Sequence, residues 1–193
     1  LAATNDISIG ASAYIYQEGI SASSGDISLG DNTISLSAGA NLSVGGNVHI
    51  TQNGITANSG DLSLGDNALN LSAGGSVSIK GGLYGDSVGV GQNGLSGTSL
   101  TLGTNAVNIT ATDGLSVGAY VYIDQESITA ASGDISLGNN TINLSAGADL
   151  SVGGNTYVNQ DNISASGEVS LGSNTININA NDDASLGNVY VQQ

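Results

Sequence analysis

The segment Ile27-Ser28-Leu29-Gly30-Asp31-Asn32-Thr33-Ile34-Ser35-Leu36 sets the reading of the whole chain, because its opening returns four more times. Leu62-Ser63-Leu64-Gly65, Leu100-Thr101-Leu102-Gly103, Ile135-Ser136-Leu137-Gly138 and Val169-Ser170-Leu171-Gly172 start 35, 38, 35 and 34 residues after one another. Periods of this size mark repeat architectures. Within the first full unit, apolar–polar–apolar triplets begin at Ile27, Ile34, Leu42, Val48 and Ile55. That is five short strands per unit. In each triplet the aliphatics share one parity and the Ser, Thr or His residues the other, as on half-buried strands. Gly, Asn, Asp and Ser fill the gaps, and no stretch has the 3.6-residue period of a helix.

The units divide the chain into a partial unit 1–26, full units 27–61, 62–99, 100–134 and 135–168, and a partial unit 169–193. They form one continuous all-β repeat domain. Two geometries fit: a β-solenoid rod, in which each coil stacks on the last, or an intertwined trimeric β-shaft sharing one core. A hairpin meander is a weaker third.

Composition narrows function. Gly 30, Ser 28, Asn 22 and Thr 13 make up nearly half of the 193 residues, while Pro, Cys, Met, Trp and Phe are absent. Sixteen acids against one Lys give a net charge of −15. Such a chain is a poor partner for nucleic acid, which demands a basic surface, and no apolar run is long enough to span a membrane. One His and no Arg leave little for acid–base or phosphoryl chemistry, so no catalytic residue is assigned. Scarce Lys and Arg leave few cleavage points for trypsin-like proteases, which suits an extracellular or cell-surface location.

After the first strand every unit carries Gly-x-Asn: Gly30/Asn32, Gly65/Asn67, Gly103/Asn105, Gly138/Asn140 and Gly172/Asn174. A fixed Gly implies a backbone shape closed to most residues, and stacked Asn side chains are expected to form a hydrogen-bonded ladder. The fourth strand ends in Gln in each copy: Gln17, Gln52, Gln92, Gln125, Gln160 and Gln193. His49 aligns with Tyr14, Tyr122, Tyr157 and Tyr190, which reads as a surface stacking position. Asp26, Asp61, Asp134 and Glu168 precede the first strand. They read as solvated turn acids, with calcium the competing ligand reading and no other cofactor indicated. The third unit carries an insertion around Gly81-Gly82-Leu83-Tyr84-Gly85 after Lys80, expected to be a loop.

The run Leu69-Asn70-Leu71-Ser72-Ala73-Gly74-Gly75-Ser76-Val77-Ser78-Ile79 resembles the repeats of filamentous-haemagglutinin-type β-helix exoproteins. The spacing of Leu62, Leu69 and Val77 resembles viral fibre shafts. The first resemblance implies secreted single-chain β-helices used in adhesion, the second trimers.

The leading expectation is a structural subunit of an extracellular filament or cell-surface fibre, with copies of itself as partners. Leu1 aligns with Leu36 and Gln193 with Gln52, so both ends are expected to stand open, with Leu1, Val189, Tyr190 and Val191 as assembly residues. The alternative is an adhesin or phage-type fibre shaft that grips a surface glycan with its Tyr face or the 83–85 loop. A glycan-processing enzyme would need a carboxylate cluster in a groove, and the acids here lie mainly in turns.

Overall fold

A computed structural model describes residues 2–9, 13–45, 47–79 and 87–193. The 83–85 loop, Lys80 and Leu1 lie outside the described residues. Among these residues there is no helix, and the strands coil into a β-solenoid of about five turns. The full unit 27–61 has the five expected strands: Ile27–Leu29, Asn32–Ala38, Leu42–Val44, Val48–Asn53 and Thr56–Ala57. Strands at the same place in successive coils pair in parallel, with partners 33 to 40 residues apart. Parallel pairing throughout removes the hairpin meander. The long-range pairing lies within one chain, which therefore closes its own core.

Four sheets result. Sheet I stacks the Ile27–Leu29 strands, sheet II the Asn32–Ala38 strands, sheet III the Leu42–Val44 strands and sheet IV the Val48–Asn53 strands. In later coils the fourth and fifth strands fuse into single long ones, Ser87–Gly97, Tyr120–Ala130 and Thr156–Ala165. One left-handed residue bends each of them: Gly94, Ser127 or Asn162, at φ 63°, 56° and 54°. A single αL residue turns the strand's direction while pairing continues on both sides.

Inward parity follows the sequence. Ile34, Leu36, Leu42, Val44, Val48 and Ile50 are buried, and Ser28, Thr33 and Ser35 of the same coil are exposed. Each Val or Leu so buried contributes roughly 1.5–3 kcal/mol. The apolar interior is split into two compartments. Sheets II, III and IV enclose the larger; sheet I and the segment after the bend, Ile55 and Ala57 in this coil, enclose the smaller.

The Gly of Gly-x-Asn corrects the expectation of an unusual backbone, for none of the five has a positive φ. What it supplies is space. A Cβ on Gly103 would stand 2.6 Å from the carbonyl carbon of Gly65 in the preceding coil, and one on Gly138 as close to Gly103. Gly65 and Gly172 are crowded in the same way, whereas a Cβ on Gly30 meets nothing within 4 Å.

Candidate functional site

Two columns of amides run up the rod where the compartments meet. Asn32 stands in sequence between the small-compartment Leu29 and the large-compartment Ile34, and Gln52 between Ile50 and Ile55. Asn67, Asn105, Asn140, Gln52, Gln92 and Gln125 are all buried. Asn32 donates through Nδ2 to Asn67 Oδ1 at 3.0 Å, and Asn67 to Asn105, Asn105 to Asn140 and Asn140 to Asn174 at 2.9 Å each. The Gln column runs the other way: Gln52 donates to Gln17 at 2.8 Å, and Gln92, Gln125 and Gln160 each donate to the Gln before. The two are cross-linked, with Asn67 donating to Gln52 Oε1 at 3.1 Å and Asn140 to Gln125 Oε1 at 2.9 Å. Both Nδ2 hydrogens of Asn67 and both lone pairs of Gln52 Oε1 are thereby used. Opposed donor directions set the amide dipoles of the two columns against each other. The paired role of Gln was not read from the sequence, although Gln52 shares the inward parity of Val48 and Ile50.

The turn acids do more than meet solvent. Asp26 Oδ1 accepts the Asp61 backbone N–H at 2.9 Å, Asp61 accepts that of Ser99 at 3.1 Å, and Asp134 that of Glu168 at 2.8 Å. Asp31, Asp66 and Asn139 repeat the device one corner on. Each side chain satisfies, in the next coil, an N–H that the corner leaves outside the ladder. Among the described residues no group of three or more His, Cys, Asp or Glu is placed to hold a metal ion.

The outward side of sheet IV is unlike the other faces. All the described tyrosines and His49 lie on its strands. Tyr14 and His49 meet edge to face at 5.7 Å, Tyr122 and Tyr157 stack at 5.6 Å and 15°, and Tyr157 and Tyr190 stack at 5.3 Å and 5°. The position given to His49 is thus one of ring contacts. Burial, helped by Asp124 and the neighbouring tyrosines, pushes the Tyr157 phenol up to about 12. In the next outward column stand Tyr16, Thr51, Gly91, Asp124 and Asn159, and beyond it Glu18, Asn53, Asn93, Glu126 and Asp161.

Val189, Tyr190 and Val191, expected from the sequence to serve assembly, pair with Thr156, Tyr157 and Val158 of the strand before in sheet IV, and all three are exposed. Among the described residues no helix is long and apolar enough to cross a membrane. In comparison with known proteins, no family model matches the chain, and no curated sequence or solved structure gives a significant match.

Proposed function

We propose that the chain is a structural element of an extracellular filament or cell-surface fibre, built by stacking coil upon coil. The observation that carries this reading is the register between coils: strands at one place in successive coils pair in parallel, Ile135 with Val169, Val152 with Leu186 and Val158 with Val191 among them. Inside the stack the aliphatics so covered, Ile135, Val152 and Val158, are at most 3% exposed. Neighbouring coils satisfy one another residue for residue, so the surface complementary to one coil is another coil of the same kind. Covering a Val or Leu is worth roughly 1.5–3 kcal/mol, and head-to-tail repetition of such a contact extends a rod.

Light scattering and negative-stain microscopy over a concentration series test the reading. The expected result is rods that lengthen with concentration. A chain that stays monomeric throughout overturns it.

A further inference from the structure

We propose that the outward face of sheet IV is a docking surface for an extended, Lys/Arg-rich segment of a partner protein. It is distinct from the coil-stacking face and does not depend on it.

Three observations meet on this face. The first is aromatic: Tyr14, Tyr16, Tyr120, Tyr122, Tyr157 and Tyr190 all stand on it. Tyrosine is enriched at interfaces because it offers a large apolar body with a polar tip at little cost in rotamer freedom. The second is charge. Glu18, Asp124, Glu126 and Asp161 share the face, in a sequence holding one Lys or Arg in all. The chain is thus unable to neutralise these carboxylates itself, and a cationic partner is the complement. The third is relief. A Cβ at Gly91 meets nothing within 4 Å, and Gly91 pairs with Thr51 on one side and Asp124 on the other. This notch in an otherwise filled column admits a long side chain beside the Asp124 carboxylate.

Spacing selects an extended peptide. Asp124 and Glu126 are two residues apart on one strand, so their side chains leave the sheet on the same side about 6.6 Å apart. An extended partner lying along the strand presents its alternate side chains at the same interval. Basic residues at every second position would therefore meet both carboxylates, their methylene stems lying against the tyrosine rings. A neutral sugar is the poorer fit, because Tyr122, Tyr157 and Tyr190 are stacked on one another, which occupies ring faces that a sugar would use.

The test titrates the folded chain with a labelled alternating Lys-Ser peptide, an alternating Glu-Ser peptide and a neutral oligosaccharide, followed by polarisation. Binding of the Lys peptide alone is expected. It should weaken at least ~10-fold in Asp124→Asn/Glu126→Gln and in Gly91→Thr, which fills the notch with the side chain the column already carries at Thr51. Asp66→Asn/Asp134→Asn removes the same charge from turns while keeping the accepting oxygens, and should change binding less than ~2-fold. Melting curves confirm that each variant is folded. Equal weakening by the turn variant would reveal attraction to a polyanion at large and overturn the proposal, as would failure of the Lys peptide to bind or preferential binding of the sugar.

Discussion

Tyr122 and His49 meet edge to face with ring centroids 5.7 Å apart, although the strand bearing Gly89 lies between theirs. The Tyr122 ring leans across the missing side chain. A Cβ on Gly89 would stand 2.7 Å from ring atoms Cδ1 and Cε1, and 2.5 Å from the Tyr122 carbonyl oxygen. Gly89→Ala is expected to lower stability by about 1–3 kcal/mol through overpacking. Gly91→Ala, two residues on with open space around it, should leave the melting temperature unchanged or slightly raised. Thermal melts of the two variants side by side decide the matter.

Replacing one amide inside the double column should cost far more than its size suggests. Gln92→Leu removes the acceptor of Asn105 Nδ2 and of Gln125 Nε2, and one donor to Gln52 Oε1. Two buried donors are stranded, at about 1–3 kcal/mol each. Urea unfolding should show a loss of roughly 2–5 kcal/mol. A loss below 1 kcal/mol would mean the columns are not the polar spine described.

Ser127 holds φ at 56° where Gly54 and Gly94 hold 61° and 63° in the equivalent bend. An L-residue with a Cβ spends about 1–2 kcal/mol on that conformation. Ser127→Gly should therefore stabilise the chain by about 1 kcal/mol, an unusual sign for a glycine placed in a strand. The gain at Asn162→Gly should be smaller, since Asn tolerates the left-handed region better. The difference is read from denaturation midpoints.

Thr156 is buried in the column of Val48, Val88 and Val121, and its hydroxyl has no hydrogen-bond partner. Thr156→Val keeps the shape and removes the orphan group. Stability should rise by about 1–2 kcal/mol; calorimetry showing a fall would demand a partner for that hydroxyl.

Alkaline titration should single out Tyr157. Its phenol pKa is pushed up to about 12 in the fold, whereas an unfolded tyrosine ionises near 10. The unfolded chain then binds fewer protons than the native one, so stability is full below pH 10 and falls as pH rises towards 12. Tyr157→Phe should flatten that fall, and tyrosinate absorbance should show one late-titrating group fewer. An unchanged alkaline profile would count against the burial described.

The period, the strand positions and the buried parity were legible because alternation repeats with so little noise: Leu62, Leu64, Leu69 and Leu71 can face only one way. The fused strands were not, since a Gly in the gap between two triplets is ordinarily a turn former, and only three dimensions show one αL residue, Gly94, bending a strand that stays paired. The Gly-x-Asn glycine misled for a related reason. Its demand comes from the backbone of another coil, and a single unit holds no trace of that approach. Asp26 and Asp61 likewise looked like solvent-facing acids until register set one oxygen on the next coil's N–H. The aromatic column was visible at His49 and its aligned tyrosines, but not the way Tyr122 spans Gly89.

Pairing that always joins residues 33 to 40 apart has a kinetic meaning. The loop closed in laying down a coil has the same length at every step, at an entropy cost of about 3 kcal/mol for 35 residues before any constant term. The search facing each new coil is then independent of how many coils already stand. Sequence separation divided by chain length falls as such a rod is extended, so the relative contact order is lower in a longer rod. Growth proceeds by accretion onto a finished template, and the first turn, with no template beneath it, is the slow one.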